Sequence, residues 1–310
     1  MSRRFGAALL LGSLALTACG SSTAAPDDDE AALSVVASFY PLEWLAGRLL
    51  GDDVVVTGLT PPGTEPHDLV LDPRSREAID DADVVLYLGL SYQPDVERAV
   101  AQLPEDVRSV DALTAPGVDL LPAPGDLGKE PLDGNLDPHV WLDPVRMSVL
   151  AEQAAEALVG ARPALRATVT ERLGELQGDL TALDEQLRAS LATCERRTIV
   201  TSHAAFGYLA DRYDLDQIAI AGLDPDDEPD PATLSEIATD ARDAGVTTVF
   251  FEEALPPDLA RTVADEIGAE TDLLGALEFD PAAAVGSGED YLSVMQQNGR
   301  ALATGLGCSS

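Results

Sequence analysis

The sequence predicts an α/β protein of two Rossmann-like lobes with parallel sheets, joined by one long helix. Three observations predict it. Short apolar runs alternate with helical patterns along most of the chain, as in a parallel sheet covered on both faces. The alternation breaks once, between Pro163 and Leu191, for a single amphipathic run. The length of 310 residues accommodates two ordinary domains. The expected boundaries are a leader over 1–19, a tether over 20–32, a first lobe over 33–162, the linking helix over 163–192 and a second lobe over 193–310.

The leader comes first. Arg3 and Arg4 precede "GAALLLGSLALTA", an apolar run shorter than the roughly 20 residues a membrane span needs. It reads as the core of a secretory signal. It ends in "LTAC", a pattern resembling a bacterial lipobox, which makes Cys19 the lipidated first residue of the mature chain. The polar stretch "GSSTAAPDDDEAA" suits a flexible tether between lipid and folded body.

In the first lobe "ALSVVASF" is a strand, and "PLEWLAGRLLG" is a helix with Pro at its start and Gly past its end. "DVVVTGL" is a strand, followed by the turn-rich "TPPGTEPH". "PRSREAIDDA" is a helix, "DVVLYLGL" a strand, "QPDVERAVAQL" a helix and "VRSVDAL" a strand. A Pro-, Gly- and Asp-rich loop runs from Thr114 to Pro138, before the helix "DPVRMSVLAEQAAEALVG". The linking run then places Leu165, Val169, Leu173, Leu176, Leu180, Leu183, Leu187 and Leu191 on one helical face, in steps of three or four. Such a helix is roughly 43 Å long. It could be a coiled-coil dimer seam or a spine between lobes. Irregular flanking charges over only about four heptads favour the spine, and with it a monomer.

The second lobe resumes the alternation: strand "RTIVTS", helix "AAFGYLADRY", strand "QIAIAGL", the acidic loop "DPDDEPD" and helix "PATLSEIATDARDAG". "VTTVFFEE" is a strand, "PPDLARTVADEIG" a helix and "TDLLGAL" a strand, and a last helix covers about Asp290 to Gly305. No sequence repeat relates the lobes.

Composition narrows the partners. There are 55 acidic residues against 19 basic ones, for a net charge of −36, and Lys129 is the only lysine. Nucleic acid needs basic surface, so it is not an expected partner. The acidity reads as a solvated, self-repelling surface. With Cys19 set aside, Cys194 and Cys308 remain. In the oxidising compartment a secretory signal implies, they favour one disulfide over two free thiols.

Only three histidines occur, and all fall in strand-end or helix-start loops. His67 lies in "PPGTEPHDL", His139 in "NLDPHVWLDP" and His203 in "IVTSHAAFGY". Ligands of open α/β sheets bind at the carboxyl ends of strands. The spacings of 72 and 64 residues provide no local chelate, so a shared metal site would need tertiary structure to assemble it. Spacing alone leaves open a shared site or three separate capping and packing residues. Three imidazoles would suit Zn²⁺ but leave a tetrahedron one ligand short.

Five motifs, "PPGTEPHDL", "DPHVWLDP", "TSHAAFGYLADRY", "VFFEE" and "DYLSVMQQN", resemble in that order those of the zinc- and manganese-binding lipoproteins of bacterial ABC transporters (the ZnuA/TroA-like, cluster A-I solute-binding proteins). The resemblance runs from about Ser34 to Gly307. It implies two α/β lobes on a rigid helix with metal in the cleft, and it implies His67, His139 and His203 as ligands. The family's fourth ligand is a carboxylate in a segment of the form L-N-P-L-E. Here "LGALEFDP" places it at Glu278, with Gly275-Ala276 where the family has Asn-Pro and with Asp280 as the alternative. Manganese-binding members commonly carry a carboxylate at the third position, so His203 favours zinc over Mn²⁺. Zinc members often carry a His-rich loop before the second ligand, whereas "APGDLGKEPLDGNLDP" has none. Asp137, Glu252 and Glu253 are candidates to accept the second ring N–H of a ligating histidine. The Asp-Pro pairs hold the backbone extended around His139.

The expected function is capture of Zn²⁺ outside the cytoplasmic membrane, on a protein anchored to its outer face through Cys19, and delivery to an ABC permease. An adhesin or a zinc chaperone on the same scaffold is the alternative, as is manganese import. Catalysis is not expected, since neither H-E-x-x-H nor G-x-S-x-G occurs. The absence of G-x-G-x-x-G and of a P-loop argues against a nucleotide site.

Overall fold

The computed structural model describes residues 33–51, 54–105, 107–123, 136–226, 229–252, 256–281 and 288–309. The leader with Cys19, the tether, Glu253 and most of the His-free acidic loop lie outside the described residues.

The first lobe comprises β1 (Val35–Ala37), α1 (Tyr40–Leu50), β2 (Val56–Gly58), α2 (Pro73–Asp80), β3 (Val84–Tyr87), α3 (Pro94–Val100), β4 (Arg108–Asp111) and α4 (Pro144–Ala161). A 3-10 turn, Pro163–Leu165, leads into α5 (Arg166–Ser190). The second lobe comprises β5 (Thr198–Thr201), α6 (Gly207–Tyr213), β6 (Asp216–Ala219), α7 (Pro231–Asp243), β7 (Thr248–Phe251), α8 (Asp258–Ile267), β8 (Glu270–Leu273) and α9 (Tyr291–Gly305). Every expected element is present, although the strands are shorter than the apolar runs that announced them. Pro, Asp or both mark most helix starts. Asp72, Asp143 and Asp230 each accept a backbone N–H at an N-cap, and Asp290 and Ser293 form a capping box.

Both sheets are parallel, with strand orders β2-β1-β3-β4 and β6-β5-β7-β8. The two lobes therefore share one topology without sharing sequence, because the order follows from the alternation of elements and right-handed crossovers. Strand residues alternate between two cores. Val35, Ala37, Val84 and Leu86 join the large central core, while Val36 and Val85 face a smaller one with Leu69, Ile79 and Val96. In the second lobe Ile199 and Phe250 face the central core, and Val200 and Val249 an outer one. This is the period-two consequence of burial on both faces.

The predicted leucine face of α5 packs inside the chain. Val169, Leu176, Leu180, Leu183 and Leu187 are at most 2% exposed, and α5 lies against α1, α4 and α9. The face is covered within the molecule, so the coiled-coil reading has no seam left to use. A disulfide joins Cys194, just beyond α5, to Cys308 near the C-terminus.

Candidate metal centre

Each sequence-predicted ligand lies in a segment that follows a strand. His67 lies between β2 and α2, and His139 between β4 and α4. His203 is two residues past β5, and Glu278 five past β8. Strands β5 and β7 are neighbours whose crossovers leave in opposite directions. That switch point presents His203 and Glu252 side by side.

The structure brings His67, His139, His203 and Glu278 together. Their Nε2 atoms stand 3.5, 3.4 and 3.5 Å from a single oxygen, Oε1 of Glu278. Four atoms about 2.0–2.1 Å from a tetrahedral centre stand roughly 3.3–3.4 Å apart. The three nitrogen–oxygen separations have that size, and they exceed the 2.7–2.9 Å of a charge-assisted hydrogen bond. None of the three Nε2 atoms, and neither oxygen of Glu278, has a hydrogen-bond partner. His139 and His203 are 0% exposed, Glu278 1% and His67 9%. Buried polar atoms left unpaired are costly, and a cation among these four residues would satisfy the three Nε2 atoms and Oε1 of Glu278. His67, His139 and Glu278 form one cluster able to hold a metal ion, and His203, Glu252 and Glu278 another, sharing Glu278.

The imidazoles are aimed from behind. His139 Nδ1 lies 2.7 Å from Asp137 Oδ1, and the same oxygen accepts the His139 backbone N–H at 2.9 Å. Asp137 thus fixes both ring and main chain of the residue two places on. Its own backbone is held across the cleft, where Tyr208 donates to Asp137 O at 2.7 Å. Its other oxygen, Oδ2, lies so close to Gly207 that no β-carbon would fit there. His203 Nδ1 lies 2.8 Å from Glu252 Oε1. With Nδ1–H given to a carboxylate, each ring presents the lone pair of Nε2 to the centre. His67 is held differently: its ring packs on Tyr92, centroids 4.2 Å apart, and its backbone N–H donates to Glu65 Oε1 at 3.2 Å.

Glu278 sits on a constrained loop. Leu277 has φ +59°, a conformation costly for a branched, non-glycine residue. The loop is clamped at the two residues before it. Asn298 exchanges two 2.8 Å hydrogen bonds with Gly275, and Trp141 Nε1 of the first lobe donates to Ala276 O at 2.8 Å. Tyr291 in turn donates to Trp141 O at 2.7 Å.

Charge follows this geometry. Burial pulls the imidazolium of His67 down in pKa. Burial acts the same way on His139 and His203, but the carboxylates outweigh it. Asp137 raises His139, and Glu252 with Glu278 raises His203 well above the ordinary value. The same histidines hold Glu278 well below the ordinary carboxylate range despite its burial. Glu65 is pushed up to about 9, chiefly by burial and then by the charge of Glu278.

Asp280 does not join either cluster among the described residues; it lines an adjoining cavity with Tyr40 and Glu43. Sequence reasoning did not single out Glu65, Tyr92, Trp141 or Gly207. Glu65, Trp141 and Gly207 fall inside the quoted histidine motifs, but nothing local marks their roles.

A family model described as the periplasmic zinc-uptake complex component A, ZnuA, matches residues 35–305. The zinc-binding lipoprotein AdcA of Streptococcus pneumoniae serotype 4 is 34% identical over 305 residues, 95% of this chain and 60% of AdcA. The chain therefore spans about three fifths of that relative's length. The high-affinity zinc uptake system protein ZnuA of Bacillus subtilis is 32% identical over 304 residues, 94% of each chain. The solved Zn(II)-bound ZnuA-like domain of S. pneumoniae AdcA superposes with a TM-score of 0.74 at 32% identity, covering 89% of this chain and 99% of that one.

Proposed function

Because the chain belongs to the ZnuA family of periplasmic zinc-uptake components, we propose that it captures Zn²⁺ outside the cytoplasmic membrane through His67, His139, His203 and Glu278 and hands it to an ABC permease. The observation that carries this reading is the convergence of three unpartnered Nε2 atoms on one unpartnered carboxylate oxygen at 3.4–3.5 Å. Three nitrogens and one oxygen as a buried donor set favour zinc over the harder Mn²⁺.

The mechanism follows from which lobe provides which ligand. His67 and His139 belong to the first lobe, His203 and Glu278 to the second. A captured ion therefore cross-links the lobes. Asp137 and Glu252 keep the imidazoles in the tautomer that binds metal, and they take up part of the ion's positive charge. Four protein ligands fill a tetrahedral shell and leave no open position for water. That suits storage and transfer rather than hydrolysis. Among the described residues no helix is long and apolar enough to cross a membrane, and attachment is proposed to run through a lipid on Cys19. The segment 20–32 would then act as the tether, and 163–192 as the rigid connection between lobes 33–162 and 193–310.

Competition titration against a zinc chelator tests this reading. Replacing any one of His67, His139, His203 or Glu278 by alanine should weaken zinc binding at least about tenfold, as the loss of one ligand interaction of 1.4 kcal/mol or more requires. Asp280→Asn should leave it unchanged. Loss of binding in Asp280→Asn but not in Glu278→Ala would reassign the fourth ligand.

A further inference from the structure

The segment 203–208 of the second lobe bears on both halves of the metal centre. It begins with His203 and ends with Gly207 and Tyr208, the first two residues of α6. Tyr208 is 0% exposed, and both hydrogen bonds of its hydroxyl reach the first lobe. It donates to Asp137 O at 2.7 Å and accepts the backbone N–H of Leu121 at 3.0 Å. Leu121 and Asp137 already face each other as a backbone pair. The Asp137 N–H donates to Leu121 O at 2.9 Å, beside the antiparallel bridge of Pro122 with Leu136. In a regular antiparallel pair the Leu121 N–H would return to Asp137 O. The Tyr208 hydroxyl relays that second bond instead, so a side chain of one lobe forms a rung between two backbone segments of the other.

Gly207 bears on the same residue. A β-carbon there would stand 2.6 Å from Asp137 Oδ2, too close for both atoms to stay where they are. Its φ of −57° suits any residue, so close approach and not backbone conformation calls for glycine. Asp137 in turn accepts the main-chain N–H of His139 and braces its ring, both through Oδ1. The ring of Tyr208 is also held from the first lobe, with the Arg146 guanidinium 4.7 Å from its centre.

We propose that Tyr208 and Gly207 are positioning residues for zinc binding: from the second lobe they fix Asp137, and through it the direction of the His139 ring. The inference rests on His139 being a zinc ligand, and it adds a coupling between the lobes. One short segment then sets a ligand of each lobe, His203 directly and His139 through Asp137. A small shift of the start of α6 would loosen both imidazoles together, so release needs no wide opening of the cleft.

Tyr208→Phe tests this, since it keeps the ring and removes only the hydroxyl. The sample is zinc-loaded protein with isotope-labelled histidine, followed by NMR of the ring N–H groups; only three imidazoles contribute. Asp137→Asn and Glu252→Gln assign the signals of His139 and His203. The expected result is a shifted or faster-exchanging Nδ1–H of His139 with that of His203 unchanged. Zinc affinity should fall about tenfold, the lower end for loss of a partner behind a ligand. Tyr213→Phe, which removes a hydroxyl bond to Asp184 from the same helix, should lower stability without moving either readout. If Tyr208→Phe does not fold, Gly207→Ala should displace the Asp137 carboxylate and give the same selective change. A His139 signal or a zinc affinity that stays as in the wild type in the folded variant, or an equal change in Tyr213→Phe, would overturn the inference. His139→Ala is titrated with zinc alongside. If it binds as the wild type does, the metal-centre reading itself fails, and this inference with it.

Discussion

Asp137 acts on His139 twice through one oxygen, accepting its main-chain N–H and bracing its ring. Glu252 braces only the ring of His203. Removing either carboxylate should lower zinc affinity about 10–100-fold, with Asp137→Ala the more severe, as a chelator competition would show. The same groups set the pH response. In the ion-free protein burial lowers the pKa of His203, but Glu252 and then Glu278 raise it overall. Protons therefore compete with zinc from above the ordinary histidine value of about 6.5. Affinity should be full at high pH and fall as pH drops through the raised pKa. Glu252→Gln should move the onset of that fall to lower pH while weakening binding at pH 8; an unmoved onset would contradict the assignment. Stability of the ion-free form runs the other way. A raised folded pKa contributes stability below the unfolded value and loses it as pH rises through the folded one. The Tm gap between zinc-loaded and ion-free protein should therefore narrow as pH falls.

At the scale of the element, α5 decides how rigid the frame is. Leu180 is 1% exposed in the central core, so Leu180→Ala should cost about 2–5 kcal/mol in a denaturant titration, with zinc affinity of the folded fraction little changed. Asp184 on the same helix accepts Arg212 at 2.9 and 3.1 Å and the Tyr213 hydroxyl at 3.2 Å, and so ties α6 to α5. Most of this frame was legible in the sequence. The leucine steps of α5 and the apolar strand runs are local patterns that tertiary contacts reinforced. The three histidines were legible as strand-end residues, but their meeting was not. It depends on lobe placement, and only the family resemblance supplied it. The Glu278 loop was legible least of all. Its Leu277 adopts a left-handed conformation that no local preference favours, held there by Trp141 and Asn298 from distant parts of the chain. Glu65 was equally silent, an ordinary acid until burial beside Glu278.

Across the whole molecule, one central core runs from Leu33 to Leu306 through both lobes and α5. The disulfide Cys194–Cys308 closes the second lobe onto the end of that helix. Arg146 adds a bridge between lobes, pairing with Asp143 at 2.6 Å and reaching Asp211 at 3.8 Å. A frame joined in this way allows small rearrangements around the site rather than wide closure. Chelation of zinc should leave the radius of gyration from small-angle scattering nearly unchanged. Free zinc at a thousandfold excess over Kd should stabilise the fold by about 4 kcal/mol, seen as a raised Tm. The most direct test of the central claim is zinc K-edge X-ray absorption on the purified, zinc-loaded protein. The account predicts one four-coordinate zinc per chain with three imidazole nitrogens and one oxygen at about 2.0–2.1 Å, and an altered shell in His139→Ala. Sulfur scattering near 2.3 Å, a six-oxygen shell, or a first shell untouched by His139→Ala would contradict it.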